Sequence, residues 1–199
     1  MSETLKLGSF VPSYEMEMYD PVKDDFGVIS FEQLRKDKKW AILVFYPADF
    51  TFICPTELRD LADHYDEFKK LGAEVLAVST DTKFVHLAWV KGEKLLKDVK
   101  YPMVADPTGK LSKLFGVYNE ETGLAHRGTF IINPEGMLVG IEVSFDNVGR
   151  NAKELLRKLK AHIYVANHPG EVCPAAWEEG KKTLKPGAKI VGKVSEALK

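Results

Sequence analysis

The stretch WAILVFYPADFTFICPTELRDLADHYDEFKKLG, residues 40–72, passes from an unbroken apolar run into an amphipathic one, and the architecture turns on that passage. Trp40–Tyr46 is apolar throughout, the pattern of a strand covered on both faces, and Pro47 ends it. Leu58, Leu61, Ala62, Tyr65, Phe68 and Leu71 then recur at spacings of three and four, the stripe of a helix, with Gly72 as its natural stop. Pro55 suits the first helical position, where its missing N–H leaves nothing unpaired. Cys54 therefore falls at the N-cap or in the first turn.

On the N-terminal side, Tyr14, Met16 and Met18 alternate with Glu15 and Glu17, which predicts a half-buried strand. Ser30 with Gln33 is a capping-box pattern and predicts a short helix through about Arg35. On the C-terminal side, Glu74–Ser79 reads as a second apolar strand, and Asp81 as the opening of a helix carrying Phe84, Val85, Ala88 and Trp89. Tyr101–Ala105 is a short strand. Asp106-Pro107 reads as a cap with Pro at the first position of a helix through Phe115. Gly128–Ile132 and Met137–Phe145 are strands joined by the turn Asn133-Pro134-Glu135-Gly136, a hairpin pattern. Asn151 with Glu154 caps a helix bearing Ala152, Leu155, Leu156, Leu159 and Ile163. His168-Pro169-Gly170 breaks it, and Lys181–Lys199 is Lys-rich with little apolar periodicity. The expectation is a domain over 1–166 and an arm over 167–199. Strands alternating with helices, then a hairpin and a last helix, make an α/β fold: a mixed central sheet flanked by helices, with an extended C-terminal arm. A thioredoxin-like arrangement fits this order, and the pattern alone leaves a flavodoxin-like one open.

The composition narrows the function. The 199 residues suffice for a core without disulfide or metal staples. Lys plus Arg is 28 against 29 for Asp plus Glu, a net charge of −1, which argues against a nucleic-acid binder. Trp40–Tyr46 is far too short to span a bilayer. Met1–Phe10 has no apolar core of signal-peptide length, so a cytoplasmic protein without membrane attachment is expected. The five histidines form no HExxH or comparable cluster, and neither cysteine has close ligand partners, so no metal or other cofactor is expected. The two cysteines, Cys54 and Cys173, are either inert buried thiols or a redox pair, and composition alone favours the first.

Position alters that balance for Cys54. It follows a buried strand and opens an amphipathic helix, so its sulfur lies near unpaired amides and the positive end of the helix dipole, both of which favour a thiolate. Its apolar neighbours Phe50, Phe52 and Ile53 act the other way, so a fixed cation has to decide. Thr51 has a second reading as the helix N-cap, Glu57 as a first-turn acid, and Arg127 and Arg150 as surface arginines. Trp89 and Trp177 read as packing residues, and His126 as a local packing or solvent residue.

Pro47-x-x-x-Thr51-x-x-Cys54 resembles the active-site motif of peroxiredoxins. The string Phe45–Leu58, together with His168-Pro169-Gly170-Glu171-Val172-Cys173-Pro174-Ala175-Ala176-Trp177, resembles the typical two-cysteine class, of the bacterial alkyl hydroperoxide reductase C type. The resemblance runs from about Leu7 to Lys193. It implies a thiol peroxidase acting on hydrogen peroxide and alkyl hydroperoxides. Cys54 would be the peroxidatic cysteine, Thr51 a hydroxyl for the peroxide and the sulfur, and Pro47 a shield for the pocket. Arg127 would be the guanidinium beside Cys54, Glu57 its orienting acid, Arg150 a second cation, and Cys173 the resolving cysteine from a partner protomer. It further implies a homodimer assembling to a decamer, with a flavoprotein hydroperoxide reductase subunit or a thioredoxin-like protein as reductant. A disulfide oxidoreductase fits less well, because Cys-x-x-Cys is missing. A holdase built on the ring is the other alternative. Two departures stand out. The Gly-Gly-Leu-Gly insertion of easily over-oxidised animal members is absent before Asp106, and so is their C-terminal Tyr-Phe pair, which implies a relatively robust enzyme.

Overall fold

One sheet is built from β1 (Glu15–Asp20), β2 (Asp25–Ser30), β3 (Trp40–Phe45), β4 (Ala73–Ser79), β5 (Met103–Ala105), β6 (Arg127–Ile132) and β7 (Leu138–Ser144), in the order β2-β1-β5-β4-β3-β6-β7. The helices are α1 (Phe31–Lys36), α2 (Cys54–Lys70), α3 (Lys83–Gly92), α4 (Lys110–Leu114), α5 (Ala152–Asn167) and α6 (Val194–Ala197). The computed structural model describes residues 4–198. The first three residues of the stretch Met1–Phe10, and the last of the Lys-rich segment, lie outside the described residues. The mixed sheet with its helices is the thioredoxin-like α/β arrangement. Among the described residues no helix is long and apolar enough to cross a membrane.

β3 runs parallel to β4 and antiparallel to β6, and all six of its side chains are buried. A strand with neighbours on both edges and cover on both faces has no polar position to offer, which is why residues 40–46 read as continuous apolar sequence. β1 has one covered face, and Met16 and Met18 alternate inward against Glu15 and Glu17. Phe45, Phe115 and Phe130 meet in the core with ring centroids 4.8–5.5 Å apart. They pack among Leu43, Leu76, Val78 and Val104.

Three local expectations are corrected. Ser30 does cap α1, its Oγ accepting from Gln33 N at 3.1 Å, but the Gln33 side chain turns the other way and donates to Asp37 Oδ1 at 2.9 Å. α3 opens after Thr82 rather than Asp81. Its buried residues are His86 and Trp89, whereas Phe84 lies exposed, edge-on to Phe26. α4 starts at Lys110, not at Pro107, because residues 106–109 close a turn first, with Gly109 N donating to Asp106 O at 2.8 Å. Asp106 still caps the helix across that turn, its carboxylate accepting from the amides of Leu111 and Ser112.

Two compact units are present, Met1–Ala152 and Lys153–Lys199. In the second, α5 from Lys153 onward groups with the segment after it. There Val172 pairs with Leu184, Trp177 is buried, and the Tyr164 ring stacks on His168 at 3.9 Å.

Gly109 adopts φ +65°, and a Cβ there would lie 2.3 Å from the Tyr118 ring. A side chain in the left-handed region costs about 1–2 kcal/mol before any clash. Gly109→Ala is therefore expected to lower the thermal midpoint by at least about 2–4 °C, read by differential scanning calorimetry.

Candidate active site

Tyr46 N donates to Val78 O at 3.0 Å as the last rung of the β3–β4 ladder. Pro47 has no N–H, so the ladder stops and the chain turns away. The loop that follows hangs on Asp49. Asp49 N donates to Asp81 Oδ2 (2.9 Å), Tyr46 Oη donates to Asp49 Oδ1 (2.7 Å), and His86 Nδ1 lies 2.8 Å from Asp49 Oδ2. His86 Nε2 faces the carbonyl of Val104 at 3.0 Å, an acceptor only, so Nε2 carries hydrogen and one proton is shared between Nδ1 and the Asp49 carboxyl. Burial pushes the Asp49 carboxyl up, and the His86 hydrogen bond and charge oppose it. Burial, followed by the Asp49 charge, pushes the Tyr46 hydroxyl up, so it remains a donor.

This grip on Asp49 bears directly on the next two residues. Phe50 sits at φ +56°, an unfavourable conformation for an aromatic residue, with its ring against Trp89 at 6.1 Å. Thr51 then turns its hydroxyl inward to donate to Ala48 O at 2.7 Å. Thr51 is not the N-cap. That position is Ile53, which offers no side-chain cap. The Ile53 carbonyl takes the amides of Thr56 and Glu57 and Pro55 has no N–H, so Cys54 stands at the positive end of the 17-residue helix α2 without a side-chain cap.

Cys54 is wholly buried. Arg127, at the start of β6, donates from Nη1 to Cys54 Sγ at 3.3 Å and to Glu57 Oε2 at 2.7 Å, and from Nε to Asp146 O at 2.8 Å. Glu57 lies one turn into α2, three residues after Cys54. It also takes Arg150 N (2.8 Å), Arg150 Nε (2.8 Å) and Arg150 Nη2 (2.9 Å). Arg150 Nη1 spans to Gly128 O and Thr129 Oγ1. The structure thus brings Cys54, Glu57, Arg127 and Arg150 into one cluster, with Arg150 reaching it through Glu57 rather than at the sulfur. Pro47 and Thr51 are half-buried in the loop leading to Cys54.

Two guanidiniums face one carboxylate, leaving one positive charge that a thiolate would balance. Burial alone would raise the Glu57 carboxyl, but the hydrogen bonds and charge of Arg150, with the charge of Arg127, hold it below the ordinary range. Burial alone would lower the Arg127 guanidinium, but the Cys54 sulfur and Glu57 raise it. Cys173 belongs to the second unit, where its Sγ lies 3.8 Å from Ala161 O. Burial pushes that thiol up, with the Arg157 charge opposing and Glu171 adding to it. Trp89 and Trp177 are buried packing residues.

Tyr46, Asp49, Asp81 and His86, which support the loop, carry no recognisable motif in the sequence. A signal existed for His86, since it shares a helix face with Trp89 at a spacing of three.

Glu57 and both arginines are almost fully buried, so removing the carboxylate leaves two buried guanidiniums without their counter-charge. Glu57→Gln is expected to cost about 3–5 kcal/mol at neutral pH. Its pKa is lowered in the fold, so its contribution is present above the unfolded value of about 4.3 and is lost as pH falls through the folded one. Urea unfolding of the two proteins should therefore converge only below about pH 4.

Comparison with known proteins bears on family and fold. A model of the AhpC/TSA family matches residues 7–141. Alkyl hydroperoxide reductase C of Amphibacillus xylanus is 50% identical over 188 residues, covering 94% of this chain and 98% of the relative. The protein of that name from Escherichia coli is 54% identical over 156 residues, 78% of this chain and 83% of its own length. The crystal structure of Enterococcus faecalis AhpC has a TM-score of 0.80 at 42% identity, covering 86% of this chain and 100% of the other. That of a reduced 2-Cys peroxiredoxin from Plasmodium vivax has a TM-score of 0.88 at 31% identity, covering 95% and 98%. Matched along most of its length in sequence and in fold, the chain belongs to the AhpC/TSA family.

Proposed function

We propose that this protein is a thiol-dependent peroxidase that reduces hydrogen peroxide and organic hydroperoxides at Cys54. The observation that carries the reading is the buried Arg127 guanidinium, 3.3 Å from the Cys54 sulfur and locked there by Glu57. An O–O bond is weak, and its cleavage puts negative charge on the departing oxygen. Fixed donors at that oxygen favour the transition state over the ground state. Arg127 serves both charges, the thiolate before reaction and the oxygen during it. A guanidinium fork suits this better than an ammonium would. The Thr51 hydroxyl gives its hydrogen to Ala48 O, so its lone pairs are free to accept from the peroxide O–H. Pro47 walls the pocket at the end of β3.

The chemistry runs in three steps. The Cys54 thiolate attacks one peroxide oxygen, an S–O bond forms, the O–O bond breaks, and the departing oxygen takes a proton to leave as water or alcohol. Sulfur has then lost two electrons and stands as a sulfenic acid. Next, Cys173 of the partner subunit attacks that sulfur, forming the S–S bond and releasing water. An external dithiol, on a flavoprotein hydroperoxide reductase subunit or a thioredoxin-like protein, returns two electrons by disulfide exchange. Cys54 is buried in the first turn of α2, and a disulfide needs the two Cα atoms within about 7 Å, so this turn unwinds for the second step.

The arm from residue 167 onward presents Cys173 to a second chain, and the working unit is a homodimer that assembles further to a decamer. In support, β7 is an edge strand with Ile141 and Val143 exposed, and Phe50, Phe52 and Phe84 are exposed elsewhere. Long apolar edges and patches invite a partner. The cytoplasm, where reducing dithiols are available, is the compartment this chemistry suits.

Stoichiometric peroxide added to the reduced protein should give a dimer on a non-reducing gel, with a Cys54–Cys173 cross-link identified by mass spectrometry. Cys54→Ser should abolish peroxide consumption. A Cys54→Ser protein that still turns over peroxide would reject the assignment. The segment before Asp106 lacks the Gly-Gly-Leu-Gly insertion, so the protein is also expected to resist inactivation. Turnover at rising peroxide should persist well above stoichiometric levels, whereas early loss with a sulfinate on Cys54 would contradict this.

A further inference from the structure

His126 and Arg127 are consecutive, and both end on the same residue. Arg127 Nε donates to the main-chain oxygen of Asp146 at 2.8 Å, and His126 Nδ1 lies 3.0 and 3.2 Å from the two carboxylate oxygens of Asp146. The two residues thus hold Asp146 by different groups, Arg127 by its backbone carbonyl and His126 by its carboxylate. The main chain of His126 is itself fixed. Its N donates to Val117 O, and its carbonyl accepts from Gly128 N, both at 2.8 Å.

A guanidinium is a flat fork, and one attachment leaves it free to swing. Glu57 supplies the first attachment of Arg127 and the Asp146 carbonyl the second. That carbonyl belongs to the connection between β7 (Leu138–Ser144) and α5, which Glu57 holds at Arg150 near its far end. Closer to Asp146 the connection makes one turn, Val148 N to Phe145 O at 3.1 Å. A side-chain anchor at Asp146 therefore bears on where its carbonyl stands, and through it on the plane of the Arg127 fork at the sulfur.

We infer that His126 and Asp146 form a positioning pair for Arg127, fixing the guanidinium plane in which the thiolate and the peroxide oxygen are held. Neither side chain touches the sulfur, and both act through the arginine. The inference rests on the peroxidase reading above and deepens it. It gives His126 a role that its sequence position beside Arg127 only hinted at. The pair is partly exposed, His126 by 32% and Asp146 by 42% of the side chain, so its removal leaves the buried cluster of Glu57 and the arginines in place.

The test is a mutant cycle read as the second-order rate of hydrogen peroxide reduction by the reduced full-length protein, with thermal unfolding recorded alongside. His126→Ala and Asp146→Ala should each slow the reaction about tenfold, within the roughly 10²-fold that a misplacement of ~1 Å can cost. His126→Asn, which keeps a donor near the Nδ1 position, should recover most of the loss. In an Arg127→Ala background, His126→Ala should have no further effect, because the pair acts only through that side chain. A merely structural role would give the same loss in both backgrounds. His126→Ala within twofold of the unaltered protein, an equal loss without Arg127, or no recovery in His126→Asn would each overturn the inference. Cys54→Ser run in the same assay separates the two levels. If it consumes peroxide the peroxidase reading falls, and if it does not while His126→Ala is fully active, only the positioning pair falls.

Discussion

A carboxylate and two guanidiniums buried around one sulfur form the constraint on which the rest of the site depends. Each charge taken out of water carries a desolvation cost of several kcal/mol, recovered only if every donor and acceptor is matched. Glu57 accepts from both arginines and from a main-chain amide, and Arg150 turns its remaining donors to Gly128 and Thr129. Arg127 has one donor group turned to a main-chain carbonyl and another to Glu57 and the sulfur. With one carboxylate against two guanidiniums the set carries one net positive charge, and Cys54 Sγ lies beside it. Under the proposed peroxidase chemistry that charge would meet negative sulfur first and negative oxygen later.

The sheet supplies the geometry for this. β3 leads the chain toward the site from the centre of the core, and β6 beside it carries Arg127 as its first residue, so the guanidinium stands on a strand that neighbours the one preceding the Cys54 loop. The connection from β3 to α2 is the soft part. It is kept in shape by Asp49 with its buried partners, and it carries Phe50 in a left-handed conformation, one residue before Thr51. That strained residue lies four positions before Cys54, close to the turn that the proposed disulfide step would unwind.

Much of this was legible in the sequence because the governing signals are local. The unbroken run 40–46 told of a strand with no exposed face, and the three–four spacing after Pro55 told of α2. Together they placed Cys54 at a helix start. The motif around Cys54, with Cys173 in its own motif, carried the resemblance to peroxiredoxins. What sequence could not supply was distance. Glu57 lies 70 residues before Arg127 and 93 before Arg150, and no pattern indicates that one carboxylate bridges both. Asp49 and His86 meet for the same non-local reason. The misplaced starts of α3 and α4 have a local cause instead. A capping carboxylate marks the vicinity of a helix, yet Asp81 was taken up by Ser79 and Asp49, and Asp106 reached its helix across a turn.

The central claim is that the fixed Arg127 fork, and not helix α2 alone, makes the Cys54 sulfur reactive toward peroxides. Stopped-flow peroxide reduction by Arg127→Lys and Arg127→Ala tests it most directly. Arg127→Ala is expected to fall by about 10²–10³-fold, the usual cost of losing a preorganised transition-state donor, and Arg127→Lys, which keeps the charge but not the fork, to recover only a small part. Rates for both variants within a few-fold of the unaltered protein would contradict the claim.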